Sequence, residues 1–109
     1  MDITDRLYSV SLFDYYCDML TDKQQTILAM FYYEDCGLSE IADVLNISRQ
    51  AVLDAIKSAE RELARLEEKI GCVKRAEFIK KDLLKLSALP EVKSSKDANA
   101  IISRISERI

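Results

Sequence analysis

The segment 48–70 constrains the fold more than any other part of the chain, because it contains neither glycine nor proline. Its apolar residues recur at alternating intervals of four and three, the spacing that places side chains on one side of an α-helix. Ser48 can cap the start of this helix, and Gly71 can end it. We therefore predict one long helix over 51–69 with a buried seam formed by Val52, Ile56, Ala59, Leu63, Leu66 and Ile70.

Two helices are predicted at the start of the chain. Segment 3–20 carries a helical stripe interrupted only by Asp14; its members are Ile3, Leu7, Val10, Phe13, Cys17 and Leu20. Thr21 and Gln24 form a capping-box pattern directly before an apolar run, so helix two begins there and ends near Asp35, before Gly37.

The remaining chain also reads as helical, since two glycines and one proline leave little turn material. Ser39 is predicted to cap a short third helix that Asn46 breaks. Residues 73–89 form an amphipathic helix with the apolar positions Val73, Ala76, Ile79 or Lys80, Leu83 and Leu86. We expect Pro90 to end it, 91–95 to be a linker, and Ser94 or Ser95 to cap a last helix bearing Ala98, Ile101, Ile102, Ile105 and Ile109.

The order of the third and fourth helices predicts a helix-turn-helix. Ala42 is small enough for two helices to cross closely, Ile47 fills the turn, and Ser48 caps the incoming helix. An ordinary helical hairpin is the alternative. We expect one domain over 1–109, with a helix-turn-helix core at 21–70 and a C-terminal helical extension at 73–109.

The long helix carries the candidate nucleic-acid-binding residues. Arg49 and Gln50, after the capping Ser48, are residue types that make bidentate contacts to base edges, and Lys57 and Arg61 can hold phosphates. Against this, Asp54 lies in the middle of the same face. A solvated helix surface, in which Lys57 pairs with nearby glutamates such as Glu60 and Glu62, explains the pattern without a ligand.

Charge is distributed unevenly along the chain. Residues 1–45 carry a net charge of −7, residues 46–70 are neutral, and residues 71–109 carry +4. Because a dedicated DNA-binding domain is usually strongly basic, phosphate neutralisation alone does not account for binding here. The basic tail offers a second candidate surface, formed by Lys74, Arg75, Lys80, Lys81 and Lys85. These side chains could contact RNA phosphates or an acidic protein, or they could simply be solvated.

Several function classes find no support in the composition. There is no histidine, glycine-rich loop or metal-ligand cluster, so we expect no catalytic residue, no metal, no cofactor and no enzyme activity. Cys17, Cys36 and Cys72 are widely spaced and read as reduced structural thiols. Without a signal peptide or a long apolar run, a cytoplasmic location without membrane insertion is expected. The tyrosines at 15, 16, 32 and 33 are predicted to be core residues rather than base-stacking ones.

Residues 20–67 resemble the helix-turn-helix of sigma factor region 4, through LSEIADVLNISRQAV at 38–52. Over nearly its whole length the chain is similar to the YlxM family, through that segment together with KQQTILAMFYYED and IKSAERELARLEEKIG. The resemblance implies a sigma region 4-like, all-α fold with an extra N-terminal helix, a long recognition helix and a basic helical tail. It also implies a regulatory role in the signal recognition particle pathway.

Two functions follow as expectations. The first is a regulator that binds nucleic acid, either DNA or the RNA of the targeting particle. The second is an adaptor that does not bind DNA and instead contacts a targeting protein or its RNA. The aliphatic seam and the isoleucine-rich last helix also carry more apolar surface than a short chain easily covers, which favours a homodimer.

Overall fold

The fold is all-α, as the sequence predicts. A computed structural model describes the backbone from Ile3 to Ile109 and the side chains from Arg6 onward. No strand occurs in that range. The helices are α1 (Ile3–Tyr16, followed by a 3₁₀ turn at Cys17–Met19), α2 (Asp22–Tyr32), α3 (Leu38–Leu45), α4 (Arg49–Ile70), α5 (Cys72–Ser87), α6 (Pro90–Lys93) and α7 (Lys96–Glu107).

The aliphatic side of α4 forms the centre of the core. The five seam residues from Val52 to Leu66 are buried, and Ile70 is half-buried, which confirms the predicted seam. Helices α1, α2 and α3 each pack against α4. They contribute buried residues that include Tyr16, Ile27, Leu28 and Ile41.

Most predicted helix ends are confirmed. The Thr21 hydroxyl accepts a hydrogen bond from the Gln24 N–H, and the Thr21 N–H donates to the Gln24 side chain, which completes the capping box. Asn46 and Gly71 take left-handed backbone conformations that end α3 and α4, with φ of 56° and 74°. Ser95, rather than Ser94, caps α7 by accepting from the Ala98 N–H.

Other predicted boundaries are wrong. Helix α2 ends at Tyr32, before Asp35, which has a left-handed φ of 53°. Ser39 does not cap α3: the helix already begins at Leu38, with Gly37 before it, and the Gly37 N–H donates to the Glu40 carboxylate. Pro90 opens the one-turn helix α6 where a linker was expected, since its fixed φ suits the first helical position.

The stripe predicted for 3–20 is confirmed at Phe13 and Leu20, which are buried, and wrong at Leu7. Leu7 is 62 % exposed, whereas Leu12, Phe13 and Tyr16 are buried. Large aromatic rings remove more apolar area from water than a leucine does, so the helix turns Phe13 and Tyr16 inward. The prediction for Ile3 lies outside the described side chains.

Two tyrosines attach α1 and α2 to α4. The hydroxyl of Tyr16 donates to the Glu67 carboxylate at 2.6 Å, and that of Tyr32 donates to Glu60 at 2.8 Å. Because the two glutamates are seven residues apart, they lie on the same side of α4, beside the seam. The prediction of four core tyrosines is confirmed for this pair and wrong for Tyr15 and Tyr33, which are exposed.

The chain divides into two compact units: the first ends at Gly71, and the second is Cys72–Ile109. In the second unit α5 packs against α6 and α7, and only Val73 and Ala76 are buried. Of the other apolar positions predicted for α5, Leu83 is half-buried, while Ile79 and Leu86 are exposed. That residues 1–109 act as a single domain stays a prediction.

Two valines of the helix-turn-helix test the burial of the α4 seam. Val52 is fully buried and Val44 is 69 % exposed. We expect Val52→Ala to lower the free energy of unfolding by about 2 kcal/mol, since it removes buried methyl groups and leaves a cavity. The matched Val44→Ala change should alter it by less than about 0.5 kcal/mol. Urea denaturation monitored by circular dichroism measures both, and equal effects would contradict the packing.

The buried Tyr32 hydroxyl, hydrogen-bonded to Glu60, predicts a loss of stability at alkaline pH. Burial first, and then the hydrogen bond to Glu60, raise the pKa of Tyr32 above its ordinary value, and Arg6 opposes the shift. Since the folded state disfavours the phenolate, this contribution is complete below about pH 10 and is lost as the pH rises further. The free energy of unfolding of Tyr32→Phe should therefore fall less steeply above pH 10 than that of the wild type. The control Tyr15→Phe, at an exposed position, should follow the wild type. If the free energy of unfolding of the wild type and of both variants fell equally with pH, the proposed role of the Tyr32–Glu60 contact would be wrong.

Candidate nucleic-acid interface

The turn between α3 and α4 has the geometry that the sequence predicts. The N–H groups of Asn46 and Ile47 both donate to the carbonyl of Ala42, which is buried where the helices meet. Ser48 then accepts a hydrogen bond at 3.0 Å from the Ala51 N–H and starts α4. This turn fixes the direction in which the first residues of α4 project.

The first turn of α4 is open to solvent on its polar side. Ser48, Arg49 and Gln50 are exposed. The Gln50 amide donates to the Asp54 carboxylate at 2.9 Å, so the side chain best suited to an adenine edge is already bonded within the helix. Because this bond is exposed, exchanging it for a bond to a base costs little free energy. Arg49 forms no ion pair within the described residues.

Lys57 lies two turns further along the same side and is exposed. The two glutamates that could pair with Lys57 have other partners: Glu60 accepts from Tyr32, and Glu62 is engaged by Arg65. At a rise of about 1.5 Å per residue, Arg49 and Lys57 are about 12 Å apart along the axis, a length that fits within one groove.

Arg61 lies one turn after Lys57 on the same side of α4 and is also exposed. It lines an open cleft of about 460 Å³ between α4 and the start of α2, together with Met19, Thr21, Gln24, Ser58, Glu62 and Arg65. The Arg65 guanidinium binds both carboxylate oxygens of Glu62, at 2.6 and 2.9 Å, and this hydrogen bonding holds the pKa of Glu62 below its usual value. Arg65 was not among the predicted site residues, although its three-residue spacing from Glu62 was a signal for this pair.

The second predicted basic surface is not one patch. All five residues are exposed on α5, but their positions in the helix put Lys74, Lys81 and Lys85 on one side and Arg75 and Lys80 on others. Lys80 lines a groove between α5 and α7. The two acidic residues of α5, Glu77 and Asp82, lie between these cations in the sequence.

The thiols carry no sign of chemical activation. Partial burial, and after it the neighbouring carboxylates, raise the pKa of both Cys17 and Cys36 above the ordinary value of a thiol. Raised pKa values favour the protonated thiol over the nucleophilic thiolate.

Across the described residues, no three side chains of histidine, cysteine, aspartate or glutamate come together as metal ligands. No helix of that same range is both long and apolar enough to cross a bilayer.

A short helix, a turn closed on a buried alanine and a long serine-capped helix with an exposed polar first turn define a helix-turn-helix protein. Residues 3–105 match the sequence model of the family described as "Putative helix-turn-helix protein, YlxM / p13 like". The chain thus belongs to this family, also designated UPF0122.

Relatives in several bacteria support the assignment. A UPF0122 protein of Thermoanaerobacter sp. strain X514 is 41% identical over 105 residues, which cover 96% of this chain and 90% of the relative. One from Caldanaerobacter subterraneus subsp. tengcongensis is 45% identical over 82 residues, 75% of this chain and 70% of the relative. One from Listeria monocytogenes serovar 1/2a is 40% identical over 77 residues, covering 71% and 70% respectively.

Ser48 has a capping role that two substitutions can separate from ligand binding. We expect Ser48→Ala to lower the free energy of unfolding by about 1 kcal/mol, because the Ala51 N–H loses its partner. Ser48→Asp should preserve stability, since aspartate caps as well and suits the positive end of the helix dipole. If Ser48 lies against phosphates, the aspartate variant should still weaken nucleic-acid binding. Thermal denaturation and an anisotropy titration measure the two effects, and a stable alanine variant would contradict the capping role.

Proposed function

We propose that this protein is a regulatory helix-turn-helix protein that binds nucleic acid through the first three turns of α4. The observation that supports this is an exposed polar face on which Arg49, Gln50 and Lys57 follow the turn at Asn46–Ser48. Arginine and glutamine at the start of a recognition helix are the residue types that contact guanine and adenine edges, and lysine binds phosphate.

Asp54 lies in the centre of this face and affects which nucleic acid binds. A carboxylate repels the phosphate backbone, so non-specific binding should be weak. The Asp54 carboxylate can also accept a hydrogen bond from the amino group of cytosine. It therefore lowers the general affinity for nucleic acid and favours particular bases. The proposed face therefore favours a particular sequence or structure over bulk nucleic acid.

On the basis of the family resemblance, we propose that this activity belongs to the signal recognition particle pathway, with DNA or the targeting RNA as the ligand. We propose on the same basis a cytoplasmic, non-enzymatic protein. A homodimer also belongs to the proposal, since paired helix-turn-helix units read paired half-sites. The adaptor alternative, in which a targeting component is bound without DNA contact, predicts an association that tolerates changes on α4.

Alanine substitutions on α4 test the proposal. Arg49→Ala and Lys57→Ala should each weaken binding of a labelled duplex or of targeting RNA about tenfold at 100 mM salt, by removing a base or phosphate contact. Each lost phosphate contact should also reduce the slope of log affinity against log salt by about 0.9 for a duplex. Fluorescence anisotropy at several salt concentrations measures both quantities.

Lys69→Ala supplies the matched control, because Lys69 is exposed on α4, carries the same charge and lies in the last turn. Its affinity should stay within about twofold of the wild type. Arg49→Lys keeps the charge and loses the bidentate geometry, so it should retain the salt slope while losing discrimination between sequences. If the Lys69 variant loses as much affinity as the Lys57 variant, binding follows total charge and the proposed face is wrong.

A further inference from the structure

The cleft between α4 and the start of α2, called here the α2–α4 cleft, contains hydrogen-bond donors that the fold does not use. The side-chain amide nitrogen of Gln24, the Ser58 hydroxyl and the Arg61 guanidinium line it and bond to none of the described residues. The carboxylate in this lining, that of Glu62, is bound by Arg65 through two N–H groups. Free donors beside a neutralised carboxylate suit an anion.

The capping box of α2 positions one of these donors. The oxygen of the Gln24 side chain accepts a hydrogen bond from the Thr21 N–H at 3.0 Å. Because the amide nitrogen is joined to the same carbon as that oxygen, the cap also restricts where the nitrogen lies. Gln24 is half-buried as well. A donor that is held in place before binding loses little conformational entropy when a ligand arrives.

The α2–α4 cleft continues the proposed nucleic-acid face of α4. Arg61 follows Lys57 by one turn and, at a rise of about 1.5 Å per residue, lies about 18 Å from Arg49 along the axis. In helix-turn-helix domains the start of the recognition helix contacts base edges, and its later part can contact the backbone. A strand that leaves the first three turns of α4 would therefore meet Arg61 through its phosphates.

We propose that the α2–α4 cleft binds a backbone phosphate of the nucleic acid that α4 contacts. This inference rests on the proposed function and adds a contact from α2 to it. The Arg61 guanidinium supplies the charge and two parallel N–H donors, and the Gln24 amide and the Ser58 hydroxyl donate to the other phosphate oxygens. Such a contact fixes the orientation of the protein on the nucleic acid and carries no sequence information.

A free anion fits the α2–α4 cleft less well than a backbone phosphate does. Asp18 and Asp22 are exposed and flank the α2 side of the cleft in the sequence, although neither lines it. Their charges oppose the entry of an isolated phosphate ion. A phosphate that belongs to a strand already held by α4 enters at a high effective concentration, which offsets this repulsion.

Arg61→Ala tests the phosphate contact. With the full-length protein and a labelled duplex of mixed sequence, it should weaken binding about tenfold at about 100 mM salt and reduce the slope of log affinity against log salt by about 0.9. The order of affinities among different duplex sequences should not change. Arg104→Ala, which removes an exposed arginine of α7, is the control and should stay within about twofold of the wild type.

Gln24→Glu tests the contribution of α2. Glutamate also completes a capping box, so thermal denaturation should show a stability close to that of the wild type. The change replaces the amide donor by a negative charge and should weaken duplex binding about tenfold. Thr26→Glu adds the same charge at an exposed position of α2 outside the cleft lining, and its loss should be less than about threefold.

Three outcomes would overturn the proposal. One is a wild-type salt slope for Arg61→Ala. Another is an equal loss from Gln24→Glu and Thr26→Glu, which would show general repulsion by charge on α2. The third comes from the side-chain amide signals of Gln24 in a nuclear magnetic resonance titration. If millimolar inorganic phosphate moves these signals and the duplex does not, the ligand of the cleft is a free phosphate compound.

Arg49→Ala, measured in parallel, separates this inference from the proposed function. If Arg49→Ala weakens duplex binding and Arg61→Ala does not, the cleft proposal is wrong and the α4 proposal stands. If neither change affects the affinity, both proposals are wrong. A loss from Arg61→Ala alone would keep the phosphate contact and contradict the role of the first turn of α4.

Discussion

The burial of one side of α4 is the interaction on which the first unit depends. Helices α1, α2 and α3 each pack on that side, and Val52, Ala59 and Leu63 are fully enclosed there. Because the aliphatic residues of α4 occupy one side of the helix, burying that side leaves the polar side exposed to solvent. The left-handed residue Asn46 and the Ser48 cap then determine where α4 begins, and so where its exposed first turn lies.

Hydrogen bonds beside the seam add direction to this packing. Apolar contact alone tolerates rotation of a helix about its axis, whereas the two tyrosine–glutamate bonds each require one orientation. Arg6 connects α1 to α2: its guanidinium donates to the Phe31 carbonyl at 2.9 Å and lies over the Phe31 ring. These polar contacts bridge the first two helices of the unit to their neighbours.

Sequence reasoning was most successful where one physical signal was strong and local. The spacing on α4 and the caps at Thr21 and Ser48 were read correctly, because periodicity and capping depend on nearby residues. The start of α3 was wrong because Ser39 is not the cap: the Gly37 N–H donates to the Glu40 carboxylate and the helix begins at Leu38. On α1 the prediction failed at Leu7, which stays exposed because the buried side of that helix is set by packing against α4, distant in sequence. The candidate site was predicted as residue types, whereas the cleft that Arg61 lines also includes Met19 and Thr21, which spacing along one helix does not reveal.

Mapping amide chemical shifts on the full-length protein is the most direct test of the central claim. During titration with a duplex of mixed sequence, and separately with targeting RNA, we expect the largest changes to fall between the turn at Asn46 and Lys57. Val52 and Leu63, on the buried side, should change little. Shifts confined to Cys72–Ile109, or spread evenly over every exposed lysine and arginine, would contradict the proposal that α4 presents the nucleic-acid-binding face.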